Sequence, residues 1–168
     1  MSKLIKNGQI VTDAWQRLVL AEGDDPATLA LPTVPTLLPL AVWQARREEL
    51  LKSGTAQGVW LDSNERPEAL AQDIDRLAVI AVNFPKFTDG RGYSIARLLR
   101  ERLKFAGELR AIGEVLHDQL QFMTRCGFDA LAVREGKPVE AAVAGLAAFS
   151  DAYQTDVVQP QPLFRRRA

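Results

Sequence analysis

Residues 77–84, LAVIAVNF, form an unbroken apolar run, and a run of this kind suits a strand buried on both faces. Such a strand belongs in a sheet covered by helices. It leads into PKFTDGRG, a polar loop carrying two glycines, and the loop opens directly onto an amphipathic helix. That helix places Ile95, Leu98, Leu99 and Leu103 on one side and Arg97, Arg100, Glu101 and Lys104 on the other, as a helix lying on a sheet requires.

The same order recurs along the chain. LAVWQARREELLK, from Leu40, reads as a helix ending near Gly54, and GVWLDS as a short buried strand. Pro67 is placed to open a helix through Leu70, Ile74 and Leu77. ELRAIGEV is a third strand, a helix from about Leu116 to Arg125 is closed by Gly127, and FDALAV is a fourth strand. A last helix from Pro138 carries Val139, Ala142, Val143, Leu146, Phe149 and Tyr153 at helical spacing. About four β-α units with right-handed crossovers imply an α/β fold with a mostly parallel sheet. A complete eight-fold barrel needs about 250 residues, so 168 residues leave an open sheet or a half-barrel. KLIK and QIVT flank Asn7-Gly8, the signature of an N-terminal β-hairpin. The chain is expected to be a single domain over 1–168: a hairpin region 1–21, a Pro-rich connection 22–39, a β-α core 40–155 and a tail 156–168.

Twenty-one basic residues balance twenty-one acidic ones, so no global field favours nucleic acid or an anionic membrane, and neither is an expected partner. Arg165, Arg166 and Arg167 make the strongly basic run, which reads as a solvated tail. One cysteine, Cys126, and one histidine, His117, exclude an intramolecular disulfide, a Cys-x-x-Cys pair and a four-thiolate cluster. No metal site is expected. The N-terminal residues lack the apolar core of a signal peptide and no segment has the length to span a bilayer, so the expected location is cytoplasmic.

In parallel α/β folds ligands gather at the carboxyl ends of the strands. Sorted by that rule, the sequence offers Asp62, Ser63 and Asn64; then Asn83, Lys86, Thr88, Asp89 and Arg91; then Glu114, His117, Asp118 and Gln119; then Arg134 and Glu135. Backbone N–H groups at the helix start, with Lys86 and Arg91, suit a bound anion, while Asp62, Ser63, Asn64 and Asp89 are also ordinary helix caps. Gly90 and Gly92 either let a ligand approach the backbone or make a tight turn, and GRG is too short a pattern to assign a nucleotide. Arg110 and Glu114 fall on the face of Ile112 in a regular strand, where a charge needs a partner. That partner is either an internal carboxylate or an anion in a polar cavity. His117 is either a helix-start residue or a general acid or base. The candidate set is Lys86, Asp89, Gly90, Arg91, Gly92, Arg110 and Glu114 for a substrate or anion, with His117 as the candidate catalytic residue.

FPKFTDGRGYSIARLLRERL, followed by GELRAIGEVLHDQLQFMTRCGFDAL, resembles the signature block of a bacterial family of unknown function labelled as oxidoreductases involved in sulfite reduction. The resemblance is strong over about Val82 to Leu131. It implies a role in assimilatory sulfur metabolism, beside the haemoprotein sulfite reductase, but brings no established catalytic residues. The chain has no dithiol, cluster-ligand set, haem attachment sequence or dinucleotide fingerprint, and the cofactor is unknown. Two readings stay open. One is an oxidoreductase component acting on a small oxyanion such as sulfite, with Arg91, Lys86 and Arg110 holding the anion and His117 donating a proton. The other is a non-catalytic accessory protein that docks on sulfite reductase or its electron donor. A half-barrel or uncovered sheet edge would also favour a homo-oligomer.

Overall fold

The computed structural model describes residues 3–146 and 152–166. Asn7 and Gly8 adopt φ of 49° and 77°, the tight turn expected of this dipeptide, and join β1 (Lys3–Lys6) to β2 (Gln9–Thr12). Then come β3 (Gln16–Arg17), β4 (Thr36–Pro39), β5 (Gln57–Leu61), β6 (Leu77–Phe84), β7 (Glu108–Gly113) and β8 (Ala130–Leu131). All belong to one eight-stranded sheet of order β2-β1-β8-β7-β6-β5-β4-β3.

Neighbours from β3 to β8 pair in parallel, whereas β1 pairs antiparallel with both β2 and β8. The sheet is therefore mixed, and the expectation of a mostly parallel one is corrected. The hairpin, instead of packing as a separate piece, takes the edge of β8 with Ile5 opposite Leu131. Burying Leu4 and Ile5 there covers an edge that would otherwise present unpaired backbone groups.

The four β-α units are not reproduced either. The first expected helix is divided into α1 (Leu40–Ala45) and α2 (Arg47–Lys52) by Arg46, whose guanidinium reaches back to the Leu29 carbonyl at 2.6 Å. A 3₁₀ segment, Pro67–Arg76, links β5 to β6. Between β6 and β7 lies α3 (Arg91–Arg97), which widens into a π-helical turn at Leu98–Arg102. A 3₁₀ turn, His117–Gln119, and α4 (Leu120–Arg125) precede β8. α5 (Val139–Leu146) and α6 (Leu163–Arg166) follow it. Phe149 of the expected last helical stripe lies outside the described residues, and Tyr153, expected in the core, is 76 % exposed. The Pro-rich connection also conceals structure, since its last residues form β4, buried at every position.

Chain length dictates how far the sheet curls. In a flat sheet β2 and β3, at opposite edges, would stand about 34 Å apart. Only Asp13, Ala14 and Trp15 separate them, and the stretch from Thr12 to Gln16 reaches at most about 14 Å. The two edges must approach each other, giving the open, strongly curled half-barrel that was one of the two expected forms.

Sequentially adjacent parallel strands with right-handed crossovers carry their helices on one face, the outside of such a curl. The main core lies there, where Val59, Ile80, Val82 and Leu109 of the strands meet Trp43, Leu70, Leu99 and Leu120. The inner face has a smaller cluster of Leu37, Val79, Ala81 and Ile112, packed by Trp15 and Trp60. Gly58 makes this closure feasible. A methyl group at that position would sit 2.7 Å from the Trp15 ring and 2.8 Å from Leu37 Cδ2.

Candidate functional site

The carboxyl ends of β5 and β6 bring Asp62, Ser63, Asn83, Asp89 and Arg91 into one hydrogen-bonded network. Ser63 Oγ donates to Asp89 Oδ2 at 2.8 Å. Arg91 donates to the same carboxylate from Nε at 2.9 Å, from Nη2 at 2.6 Å and from its backbone N–H at 3.1 Å. The Arg91 fork, followed by the Ser63 hydroxyl, holds the Asp89 carboxyl well below the usual carboxylate range. Asp62 Oδ1 accepts from Asn83 Nδ2 at 2.9 Å, and the Asp62 N–H donates to Glu65 Oε2 at 2.7 Å. Burial pushes the Glu65 carboxyl up, against the lowering effect of that backbone bond.

The two glycines of the loop play different parts. Gly92 is buried in α3, and a methyl group there would lie 2.6 Å from the Phe84 ring, so its small size lets the helix seat on the strand that precedes it. Around Gly90 the nearest neighbour of such a methyl is Tyr93 at 3.8 Å, and the position is open. Lys86 is exposed, and no carboxylate pairs with it among the described residues.

Arg110 stands apart from this network. It is 2 % exposed and lies on the inner face, where Nη1 donates to both oxygens of Asp13 at 2.9 Å. Its Nε and Nη2 donate to Glu108 Oε1 at 2.8 and 2.6 Å, and Lys6 pairs with Glu108 Oε2 at 2.7 Å. Burial raises the Glu108 carboxyl, but the Lys6 and Arg110 contacts outweigh it and the net direction is down. Glu114 does not share the face of Arg110. Gly113 adopts φ of 92° and turns the chain, leaving Glu114 paired with Arg134 at 2.9 Å.

His117 is exposed at the start of its 3₁₀ turn. The turn meets the glycine loop through Gln119, whose Nε2 donates to the Phe87 carbonyl at 3.1 Å. His117 itself is not brought into the Asp89–Arg91 network. Among the described residues no group of three or more His, Cys, Asp or Glu side chains is arranged to hold a metal ion, and no helix is long and apolar enough to cross a membrane.

Several participants were not singled out from the sequence. Asp13, Glu108 and Lys6 complete the Arg110 network. Glu108 was legible, because alternation in ELRAIG puts it on the face of Arg110; Asp13, far away in sequence, gave no signal. Arg17 also reaches this end of the sheet, its guanidinium 5.3 Å above the Trp60 ring and 3.5 Å from Asn83 Oδ1. Trp60 Nε1 in turn donates to the Leu18 carbonyl at 2.8 Å. Two clefts lie elsewhere. One of about 630 Å³ is bordered by Gly8, Phe128, Leu131 and Val157, and one of about 360 Å³ by Pro32, Thr36, Leu50 and Gln57.

Fold and site together define an α/β half-barrel protein with an internally hydrogen-bonded polar cluster at the carboxyl ends of its strands. A family model described as a bacterial protein of unknown function (DUF934) matches residues 58–164, and the chain belongs to that family. Neither a curated protein nor a solved structure matches it. The matched stretch contains the whole candidate set from Lys86 to His117, whereas Asp13 and Arg17 precede it.

Proposed function

We propose that this protein serves sulfite reduction as a non-catalytic accessory component that docks on sulfite reductase or on its electron donor. The place in sulfur assimilation rests on the resemblance of the block from Val82 to Leu131. The observation that carries the accessory role is the state of the two arginines expected to hold an oxyanion: the fork of Arg91 is filled by Asp89 and that of Arg110 by Asp13 and Glu108. An anion at either position would have to displace a carboxylate already bonded at two points.

A deletion strain tests the reading when grown with sulfate, sulfite, sulfide or cysteine as the sole sulfur source. Growth should fail on sulfate and sulfite and recover on sulfide or cysteine. Complementation with His117→Ala or Arg91→Ala should restore it, and the tagged wild-type protein should retain sulfite reductase or its electron donor. Normal growth on sulfate and sulfite, in a strain with no second copy of the gene, removes the pathway assignment.

The oxidoreductase reading keeps one observation in its favour. Lys86 and Arg17, at this end of the sheet, have no carboxylate partner among the described residues and are available to a small oxyanion. Purified protein that turns over sulfite, and loses that activity in Lys86→Ala, would replace the accessory role with a catalytic one.

A further inference from the structure

The amino ends of β4 and β5 frame a cleft that neither the Asp89–Arg91 network nor the Arg110 network uses. Its volume is about 360 Å³, within the range of about 300–1,000 Å³ typical of small-molecule sites. Thr36 and Gln57, the first residues of the two strands, border it, so it lies at the end of the sheet opposite Asp62 and Asn83. Leu38 and Leu50, both buried, supply apolar lining, and the exposed Val34 stands at the rim. Pro32 and Pro35 fix φ on either side of this wall, and Thr36 Oγ1 donates to the Val34 carbonyl at 2.8 Å. A wall held in this way loses little freedom when a ligand arrives.

Gln57 carries the polar signal. The residue is 7 % exposed, and its Nε2 donates to Thr55 Oγ1 at 2.7 Å, to Ser53 Oγ at 2.9 Å and to the Thr55 carbonyl at 3.1 Å, with the Leu50 carbonyl at 3.4 Å. Backbone carbonyls only accept, so the amino side of the amide is turned to them and Oε1 is turned away. The neighbouring hydroxyls are already engaged: Ser53 Oγ donates to the Leu50 carbonyl at 2.7 Å, which leaves Thr55 Oγ1 to donate to Ser53 Oγ at 2.9 Å. Gln57 Oε1 therefore accepts no hydrogen bond among the described residues, yet it is not sealed in the interior. With the rest of the side chain covered, the cleft is the opening that reaches it.

An acceptor fixed beside buried leucines calls for a donor carried on an apolar body. Charge narrows the class further. Glu49 is the charged side chain among the described residues that border the cleft, and Arg46 donates to its carboxylate at 2.9 and 2.6 Å. The lining thus offers no cation to an anion and no unpaired carboxylate to a cation. We propose that this cleft binds a small uncharged molecule, which donates one hydrogen bond to Gln57 Oε1 and packs its apolar body against Leu38, Leu50 and Val34. The site does not rest on the accessory role proposed above.

The test titrates the full-length, nitrogen-15-labelled protein with indole, phenol and caprolactam, each uncharged and carrying one N–H or O–H donor. Amide signals of residues 31–38 and 49–57 should shift and saturate with at least one of them, with a dissociation constant of about 1 mM or below. 1-Methylindole, which keeps the ring and lacks the donor, should bind at least about tenfold more weakly than indole. Indole-3-acetate, which adds a carboxylate, should weaken by a similar factor or more. Gln57→Met should erase the preference for indole over 1-methylindole; if thermal melts show that this variant is unfolded, the wild-type comparison decides alone. Absence of saturable shifts at these residues with all three probes overturns the site. Equal binding of indole and 1-methylindole to wild type, or tighter binding of indole-3-acetate, overturns the ligand class. No sulfite reductase enters the experiment, so its failure is distinct from failure of the accessory role.

Discussion

Arg110 shows how burial decides what a charged side chain does. Removing it would leave Glu108 and Asp13 facing each other inside the curl with one fewer cation. Arg110→Ala is therefore expected to lower stability by about 3–5 kcal/mol, the range for breaking a buried ion pair, measured by urea unfolding. A second buried carboxylate contributes to the acid response. Asp73 accepts from Arg47 Nη2 at 2.6 Å and from the buried Trp43 Nε1 at 3.0 Å, and the Arg47 bond, against the opposing effect of burial, lowers its folded-state pKa. Its stabilising contribution is complete above the unfolded value of about 3.9 and is lost as the pH falls from there through the lower folded value. Urea midpoints followed from about pH 5 to pH 2 should fall more steeply in wild type than in Asp73→Asn; equal slopes would contradict the assignment. The charged residues themselves were legible in the sequence, as was the shared face of Arg110 and Glu108, but their distant partners were not. Alternation along a strand places Arg110 on a face, whereas only the closed curl brings Asp13 to it.

At the scale of elements, the turn from β6 into α3 is set by packing as much as by polar contacts. Gly92→Ala would drive a methyl into the Phe84 ring and is expected to cost about 1–3 kcal/mol. Gly90→Ala, with room around it, should stay within about 0.5 kcal/mol of wild type. Thermal melts of the two variants separate a packing glycine from a merely permissive one. Periodicity found β5, β6, β7, the hairpin and the closure of α4 by Gly127, because each combines an apolar pattern with a turn residue. It missed β4, since Thr36–Pro39 lies among prolines that argue against a ladder. It also overstated the helices. The Pro67–Arg76 stretch has helical spacing yet winds as 3₁₀, a choice that the apolar pattern alone does not make.

For the whole molecule, the inner face depends on a short strap. Trp15 covers Gly58 and Leu37, and its neighbour Asp13 holds Arg110. Trp15→Ala is expected to reduce stability by about 2 kcal/mol, less than for a fully buried tryptophan, and to increase binding of a dye that reports exposed apolar surface. Unchanged dye binding would mean that the inner cluster does not need the strap. The choice between open sheet and half-barrel was invisible to local pattern. It follows from three residues joining opposite edges of the sheet, a constraint that appears only once strand order is known.

The pairing of Ile5 with Leu131 also fixes a sequence of events in time. The hairpin is synthesised well before β8, yet the edge it occupies does not exist until β8 has been made. Contacts so distant along the chain are slow to form. The hairpin must therefore wait while β3 to β8 are made before the place it occupies exists.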